Sequence, residues 1–224
     1  MPDNLTEKES IIEIYRNWTK GYDFIANISV LIGHRINLYR KKAVDSLNLK
    51  EGDVVVDLAC GTGLNFPYLQ MAVGHKGRIV GVDITDAMLE QARRKIEAHG
   101  WENVDLIHCD VEEYKFPDNI NAVLSTFALG YLPNYDGFIK KIRDALPVNG
   151  KFAELSFKAP KGKLAKRILF RALRPFGTTE DYEDRHIWES VEKYFDKTNF
   201  REFYFGTTYI ATGKKTDSNC DQTF

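Results

Sequence analysis

The chain lacks the residues that mark disulfide-rich and zinc-binding proteins. Its three cysteines, at positions 60, 109 and 220, form no Cys-x-x-Cys pair, and no group of histidines has metal-ligand spacing. Neither a disulfide framework nor a zinc site is therefore expected, and no metal is assigned.

Long apolar runs and an excess of either charge are also absent. The most apolar early run, residues 24–33, contains Asn27 and is shorter than the roughly 20 residues that span a bilayer. The polar, acidic N-terminus does not resemble a signal peptide. The 31 basic and 32 acidic residues nearly cancel, which argues against a nucleic-acid partner. A cytoplasmic, reducing location is expected, and the oligomeric state is left open.

What the sequence does contain is an alternation of strand and helix patterns. Strands are predicted at 54–58, 78–83, 104–108, 120–125 and 151–157, and helices at 86–99 and 135–145. This alternation predicts right-handed β-α-β units and a parallel sheet, the α/β fold class. A late helix is predicted at 188–197, followed by closing strands at 202–207 and 208–212.

The 224 residues fit one domain with a helical cover. Residues 1–50 are predicted to form that cover, from helical patterns within 7–48, and residues 51–213 the main domain. Residues 158–187 form a basic helical insert within it, and the polar segment 214–224 is predicted to be a disordered tail.

The strongest motif is the turn from Asp57 to Gly63, Asp-Leu-Ala-Cys-Gly-Thr-Gly, which follows the first strand. Glycine lets a backbone turn tightly and approach a ligand closely. In a parallel α/β sheet, ligands bind beyond the carboxyl ends of the strands. The turn therefore predicts a cofactor site at that edge.

Acidic residues end the next two strands as well. Asp83 lies twenty residues after Gly63, where a carboxylate can accept hydrogen bonds from ribose hydroxyls. Asp110 follows the third strand and can accept from an adenine amine, while Met88 can cover the adenine ring. The predicted cofactor-binding residues are Asp57, Ala59, Gly61, Gly63, Asp83, Ile84, Met88, Asp110, Val111, Ser125 and Thr126.

Two alternatives compete with a S-adenosylmethionine (SAM) site. A dinucleotide oxidoreductase normally has a third glycine in this turn and binds pyrophosphate there, but Phe66 stands at the third position and Asp57 precedes the turn. A carboxylate disfavours pyrophosphate and suits the ammonium and sulfonium of SAM. The other alternative, a SAM-binding module without catalysis, is left open.

These motifs resemble the class I SAM-dependent methyltransferases, in particular the ubiquinone/menaquinone C-methyltransferases. The resemblance covers residues 15–212 and includes 57–63, 81–89, 125–129 and the turn at 146–150. It implies a Rossmann-like, seven-stranded sheet of order 3-2-1-4-5-7-6 with strand 7 antiparallel. It also implies that Gly61 and Gly63 bracket the methionine moiety, and that Ser125 and Thr126 line the floor near the reactive methyl.

The acceptor stays open between quinone-type molecules and phospholipid amines. Quinone methyltransferases usually carry an Arg-Asn pair after the fourth strand, where this chain has Gly130 and Tyr131. The core is equally similar to bacterial phospholipid N-methyltransferases. The sequence thus predicts a lipid-like or small amphiphilic acceptor.

The candidate catalytic residues are Tyr22, His34 and Tyr131, with His186 as a further candidate. Tyr22 and His34 match the Tyr-Asp and Gly-x-His-Arg elements of the quinone enzymes, and Tyr131 follows the fourth strand. A phenol or activated carbon would benefit from a base, whereas an amine needs only to arrive deprotonated.

The insert has seven basic residues and no acidic residue between Glu154 and Glu180. Residues 161–173 place apolar side chains on one helical face with lysines and arginines beside it. This pattern suits reversible contact of 161–174 with an anionic membrane surface. It equally suits a solvated helix that covers the active site.

Overall fold

The structure is a computed structural model that describes residues 7–18, 21, 34–160, 162–163, 166–167, 171 and 185–217. The candidate Tyr22 and most of the basic segment 161–174 lie outside the described residues. No helix in the described ranges is both long and apolar enough to cross a bilayer.

The strands of the sheet are β1 (Val54–Leu58), β2 (Arg78–Asp83), β3 (Val104–His108), β4 (Ala122–Thr126), β5 (Lys151–Phe157), β6 (Lys197–Phe203) and β7 (Thr208–Lys214). The helices in the described part of the chain are α1 (Glu7–Trp18), α2 (Ile36–Ser46), α3 (Phe66–Val73), α4 (Asp86–His99), α5 (Tyr135–Ala145) and α6 (Ile187–Tyr194), with a 3₁₀ turn at Leu129–Tyr131.

The seven strands form one sheet of order β3-β2-β1-β4-β5-β7-β6, which confirms the expected topology. β7 runs antiparallel to β5 and β6, and the pairs among β1 to β5 are parallel. The carboxyl ends of β1 to β5 therefore meet along one rim. The β6–β7 turn lies on the same rim, because Phe157 at the end of β5 pairs with Thr208 at the start of β7.

Helices cover both faces of the sheet, as its apolar strands require. α2, α3 and α4 pack on one face and α5 and α6 on the other, each with its own apolar cluster. The central strands β1 and β4 are buried almost throughout, which explains their runs of Val, Leu and Ala.

Two local predictions were wrong at the end of the chain. β6 covers Lys197–Phe203 rather than 202–207, because its alternating polar residues mask an edge strand whose outer side faces water. The tail does not begin at 214: β7 includes Lys214, the Lys215 N–H donates to the Gly150 carbonyl at 3.0 Å, and the Thr216 N–H donates to Asp196 at 2.7 Å.

Candidate active site

A cavity of about 210 Å³ opens at the carboxyl rim of the sheet. It runs from the ends of β1, β2 and β3 to the segment after β4, and α1 covers one side. Its lining includes eight of the residues predicted from the sequence: Ala59, Gly61, Asp83, Ile84, Met88, Asp110, Val111 and Thr126.

Asp83 holds the glycine turn in place at the end of β2. One carboxylate oxygen accepts the Gly61 N–H at 2.8 Å, and the other accepts the Thr85 N–H at 2.8 Å. The Thr85 side chain also hydrogen-bonds this carboxylate, whose two oxygens offer about four acceptor sites, so a further donor such as a ribose hydroxyl can still bind there. Burial raises the pKa of Asp83, and these two backbone donors oppose the rise.

The turn itself adopts backbone conformations that side chains rarely allow. Gly61 has φ +56°, and a Cβ built there would meet no atom within 4 Å, so its cavity side is open to a ligand. Ala59 lines the cavity with φ +51°, a left-handed conformation that costs a non-glycine residue about 1 kcal/mol or more. Such strain is concentrated at ligand sites.

Gly63 serves packing rather than the cavity. With φ +75°, a Cβ there would lie 2.5 Å from the ring of Phe66. The far end of that ring lies against Gly81 in β2, where a Cβ would be 2.8 Å from Phe66 Cζ. Phe66 is fully buried. Its ring separates the helix from the strand at the position where a dinucleotide-binding site has a third glycine and the two elements pack closely.

Asp110 lies at the end of the rim beneath α1. Its Oδ1 accepts the Glu112 N–H at 2.9 Å, and Lys8 of α1 forms an ion pair with its other oxygen. Lys8 also lies 3.3 Å from Glu112. Farther along α1, Arg16 pairs with Asp86 at the start of α4 at 2.9 Å. Ionic contacts of Lys8 and Arg16 thus hold α1 over the cavity.

Apolar side chains occupy the space between the two aspartates. Ile84, Met88 and Val111 line the cavity between Asp83 and Asp110. A flat base can lie against this wall while its ribose and amine reach the carboxylates at either end. The donor set and the shape together fit an adenosine.

Asp57 does not line the cavity, because it is buried beneath the turn. Both of its carboxylate oxygens accept from the Asn65 amide, at 2.9 and 3.1 Å. Arg40 of α2 donates to Asn65 at 3.0 Å and to Thr126 at 2.6 Å. Burial raises the pKa of Asp57 to about 7, against the opposing effects of Asn65 and Arg40. Asp57 therefore acts on the turn through this network and not by contact with a ligand.

Arg40 and Asn65 were missed in the sequence. Both are buried, and Arg40 falls within the apolar stripe of α2, beside Tyr39 and four residues after Ile36. A charged residue inside an apolar stripe is the feature of the sequence that could have indicated this network, since buried charges are nearly always paired.

Ser125 and Thr126 do not form a common floor. Thr126 lines the cavity, but Ser125 is buried on the other face of β4, because successive strand residues point to opposite faces. Ser125 is paired in register with Glu154 of β5, which is also fully buried. Burial raises the pKa of Glu154 well above its ordinary value, and the hydroxyls of Ser125 and Ser156 oppose the rise.

The cavity continues past Thr126 into an apolar wall. Phe127 adopts φ +62° and its N–H donates to the Leu155 carbonyl at 2.7 Å. Tyr131 faces Tyr15 of α1 edge to face, with ring centroids 6.3 Å apart. The remaining residues of this acceptor wall are Ile11, Ile12, Ala128, Leu129, Leu132 and Pro133.

The candidate catalytic residues are separated in the structure. Tyr131 lines the cavity. His34 is buried outside its lining, 2.8 Å from Thr208 Oγ1, with burial lowering the pKa of its imidazole. His186 stacks on Trp188 and contacts Glu189 at 3.0 Å, also outside the cavity. Of the described candidates, only Tyr131 is placed to touch an acceptor.

Comparison with known proteins identifies the enzyme class. The model of the ubiE/COQ5 methyltransferase family matches residues 3–210. The demethylmenaquinone methyltransferase of Staphylococcus saprophyticus is 29% identical over 91% of this chain and 89% of its own length. That of Staphylococcus aureus is 28% identical over 98% of both chains.

Solved structures show the same fold at low sequence identity. A SAM-dependent methyltransferase from Aquifex aeolicus has a TM-score of 0.59 and 21% identity, covering 78% of this chain and 88% of its own. Geranyl diphosphate C-methyltransferase from Streptomyces coelicolor has a TM-score of 0.62 and 13% identity, covering 82% and 80%. Because the family model matches nearly the whole chain, this SAM-dependent methyltransferase belongs to the ubiE/COQ5 methyltransferase family.

Proposed function

We propose that the enzyme methylates a lipid-like acceptor, with a reduced, prenylated quinone ring as the first candidate and a phospholipid amine as the second. The observation that carries the proposal is the apolar acceptor wall that continues the cofactor cavity beyond Thr126. A ring with an apolar tail matches such a wall, whereas a small, highly charged acceptor would leave its charge unpaired there.

The relatives support the order of the two candidates. Two curated relatives of this chain, at 28 and 29% identity, carry the name demethylmenaquinone methyltransferase. This chain has Gly130 and Tyr131 where quinone methyltransferases usually carry an Arg-Asn pair, so we retain the phospholipid amine as the second candidate. A phosphoethanolamine N-methyltransferase from Haemonchus contortus shares the fold, with a TM-score of 0.64 and 16% identity over 80% of this chain and 53% of its own.

The residues of this chain have three tasks in the reaction. Bound SAM supplies an electrophilic methyl group on a sulfonium. Asp83 and the glycine turn fix the donor end, and Phe127 and the residues after it orient the acceptor and exclude water. Tyr131 contributes the phenolic hydroxyl that can hydrogen-bond an acceptor oxygen. We propose that Tyr22 and His34 support the N-terminal cover. His34 does so without touching the reacting atoms.

The test is methyl transfer from labelled SAM to two acceptors supplied separately. One is a reduced prenylated naphthoquinone without a ring methyl, and the other is phosphatidylethanolamine in vesicles. We expect label in the quinone, with mass spectrometry placing one added methyl on the ring. Asp83→Asn serves as the matched control with impaired donor binding. Label only in the phospholipid would establish the second candidate, and label in neither would contradict the proposal.

We also propose that segment 161–174 makes reversible contact with an anionic membrane surface, where such acceptors reside. Its described residues Lys163, Arg167 and Arg171 are exposed, and each cation near an anionic surface adds about 1 kcal/mol of attraction. Changing Lys163, Lys166, Arg167 and Arg171 together to Gln should weaken pelleting with anionic vesicles. Unchanged pelleting would remove this part of the proposal.

A further inference from the structure

The turn between β6 and β7 exposes an aromatic ring in a strained backbone. Tyr204 and Phe205 have φ +48° and +57°, followed by Gly206 at +78°. A left-handed conformation is an outlier for bulky residues. Phe205 is also 94% exposed, more than any other large apolar residue in the described ranges. The left-handed backbone and the exposed ring are both unfavourable in a free, solvated turn. Both are typical of a segment that makes a functional contact.

The residues beneath this turn hold it rigidly. Tyr204 packs against His34 with ring centroids 4.7 Å apart, and Phe203 stacks on Tyr39 at 5.0 Å. His34 in turn contacts Thr208 at 2.8 Å, at the start of β7. The buried imidazole therefore fixes the base of the turn, while the ring of Phe205 is left outside.

A continuous aromatic path joins the turn to the acceptor wall. His34 stacks on Phe157 at 5.9 Å, and Phe157 contacts Phe127 at 4.7 Å. Phe127 lines the cavity. The exposed ring thus stands on the same rim as the cavity and at the outer end of this path.

One ion pair and one further lysine lie beside the turn, next to the start of the segment without acidic residues. The Lys158 N–H donates to the Thr207 carbonyl at 2.9 Å, so the segment without acidic residues begins beside the turn. The carboxylate of Glu202 in β6 is already paired with Lys158 at 2.5 Å. Lys42 of α2 lies 5.9 Å from the ring of Phe203. An anionic partner is favoured over a cationic one.

We propose that the β6–β7 turn, residues 203–207, is an anchor that inserts Phe205 into the interface of an anionic lipid bilayer. Aromatic rings are favoured at that depth, and flanking cations strengthen the binding. The contact sets the rim that carries the cavity against the bilayer, where apolar acceptors reside. It goes beyond the identity of the acceptor, because vesicle binding is measured without any methyl transfer.

The experiment is cosedimentation of the full chain with phosphatidylcholine vesicles that contain about one third phosphatidylglycerol. Phe205→Asn removes the ring and keeps a residue that tolerates the left-handed conformation. Met71→Gln is the matched control, since Met71 is 78% exposed in α3 at the opposite end of the sheet. We expect about tenfold weaker vesicle binding for Phe205→Asn, as loss of one buried aromatic ring implies, and no change for Met71→Gln. Phe205→Trp should restore binding.

SAM binding by calorimetry separates this result from misfolding, because Phe205 lies outside the donor site and its variants should bind SAM as the wild type does. Equal vesicle binding by wild type and Phe205→Asn would overturn the proposal, as would absence of binding by the wild type. Gel filtration adds a further outcome: a dimer that Phe205→Asn dissociates, without vesicle binding, would assign the ring to contact with a second copy and contradict the bilayer assignment.

Discussion

The donor half of the rim is held by hydrogen bonds to carboxylates, whereas the acceptor half is held by contacts between aromatic rings. At the ends of β1 to β3, Asp83 and Asp110 each accept backbone N–H groups. Beyond β4, Phe127 and Phe157 pack ring on ring. Directional bonds fix a ligand of one shape, while aromatic packing accepts a range of apolar shapes. The donor half therefore suits an invariant cofactor, and the acceptor half can change with the substrate.

The same contrast is present in the buried carboxyl groups beneath the two halves. Asp57, under the donor half, is bonded to Asn65 in a network that includes Arg40. Glu154, under the acceptor half, is buried beside the hydroxyls of Ser125 and Ser156. The first carboxyl belongs to a network that includes a guanidinium, whereas burial raises the pKa of the second well above its ordinary value.

The largest expected effect comes from breaking the donor half. Asp83→Asn replaces one carboxylate oxygen by an amide NH₂ group. That group then faces the N–H of either Gly61 or Thr85, donor against donor. We expect about hundredfold weaker SAM binding, the usual scale for losing hydrogen bonds to a charged group. Calorimetry measures it, with Asp105→Asn as control, since Asp105 is exposed and pairs with Arg78 at the other end of the sheet. Equal affinity for SAM would show that Asp83 does not hold the cofactor.

A change in the acceptor half should leave the donor untouched. Phe127→Ala keeps the backbone but opens the acceptor wall, so the acceptor loses its orientation. We expect methyl transfer to fall about thirtyfold, with the dissociation constant for SAM unchanged within about twofold. A parallel loss of SAM affinity would mean that the two halves are not independent.

The buried carboxyls give a pH prediction that separates the halves. Burial raises the pKa of Asp57 from 3.8 to about 7, so the folded state binds the proton more tightly than the unfolded state. The stability that this provides is complete below 3.8 and is lost as the pH rises through about 7. Asp57→Asn should flatten this part of the curve of unfolding free energy against pH, measured by denaturant titration.

Glu154→Gln tests the same sign at higher pH. Because burial raises the pKa of Glu154 well above its ordinary value, the wild type should lose stability relative to the variant as the solution becomes more alkaline. A wild type that gains stability over either variant across the same pH range would contradict the raised pKa values of these two groups.

The smallest effect concerns the cover. Arg16→Ala removes the exposed ion pair with Asp86 that holds α1 over the cavity. Exposed pairs contribute at most about 1 kcal/mol, so we expect SAM to dissociate about threefold faster, and less so at high salt. Arg78→Ala is the control, because it breaks an equally exposed pair away from the cavity. Identical rates of SAM dissociation from the two variants would show that the Arg16–Asp86 pair does not hold α1 over the cavity.

The donor half could be predicted from the sequence because its residues occupy fixed positions relative to the strands. The end of a buried strand followed by Gly61, and an aspartate closing each of the next two strands, identify the edge without knowledge of the packing. The close approach of Gly63 to Phe66 could not be predicted, since it depends on how α3 packs.

The acceptor half could not be predicted in the same way. The path from Phe127 through Phe157 and His34 joins residues more than a hundred positions apart in the sequence. The left-handed conformation of Phe205 also has no signature in residue type, because phenylalanine normally avoids it. Such contacts are fixed by tertiary packing, which local patterns do not encode.

The most direct test is calorimetric titration of the wild-type protein with SAM and, separately, with NAD. The account predicts one SAM bound per chain with micromolar affinity, about hundredfold weaker SAM binding in Asp83→Asn, and no heat from NAD. Tighter binding of NAD, or an unchanged affinity for SAM in Asp83→Asn, would contradict a nucleoside site built on the carboxylates at the ends of β2 and β3.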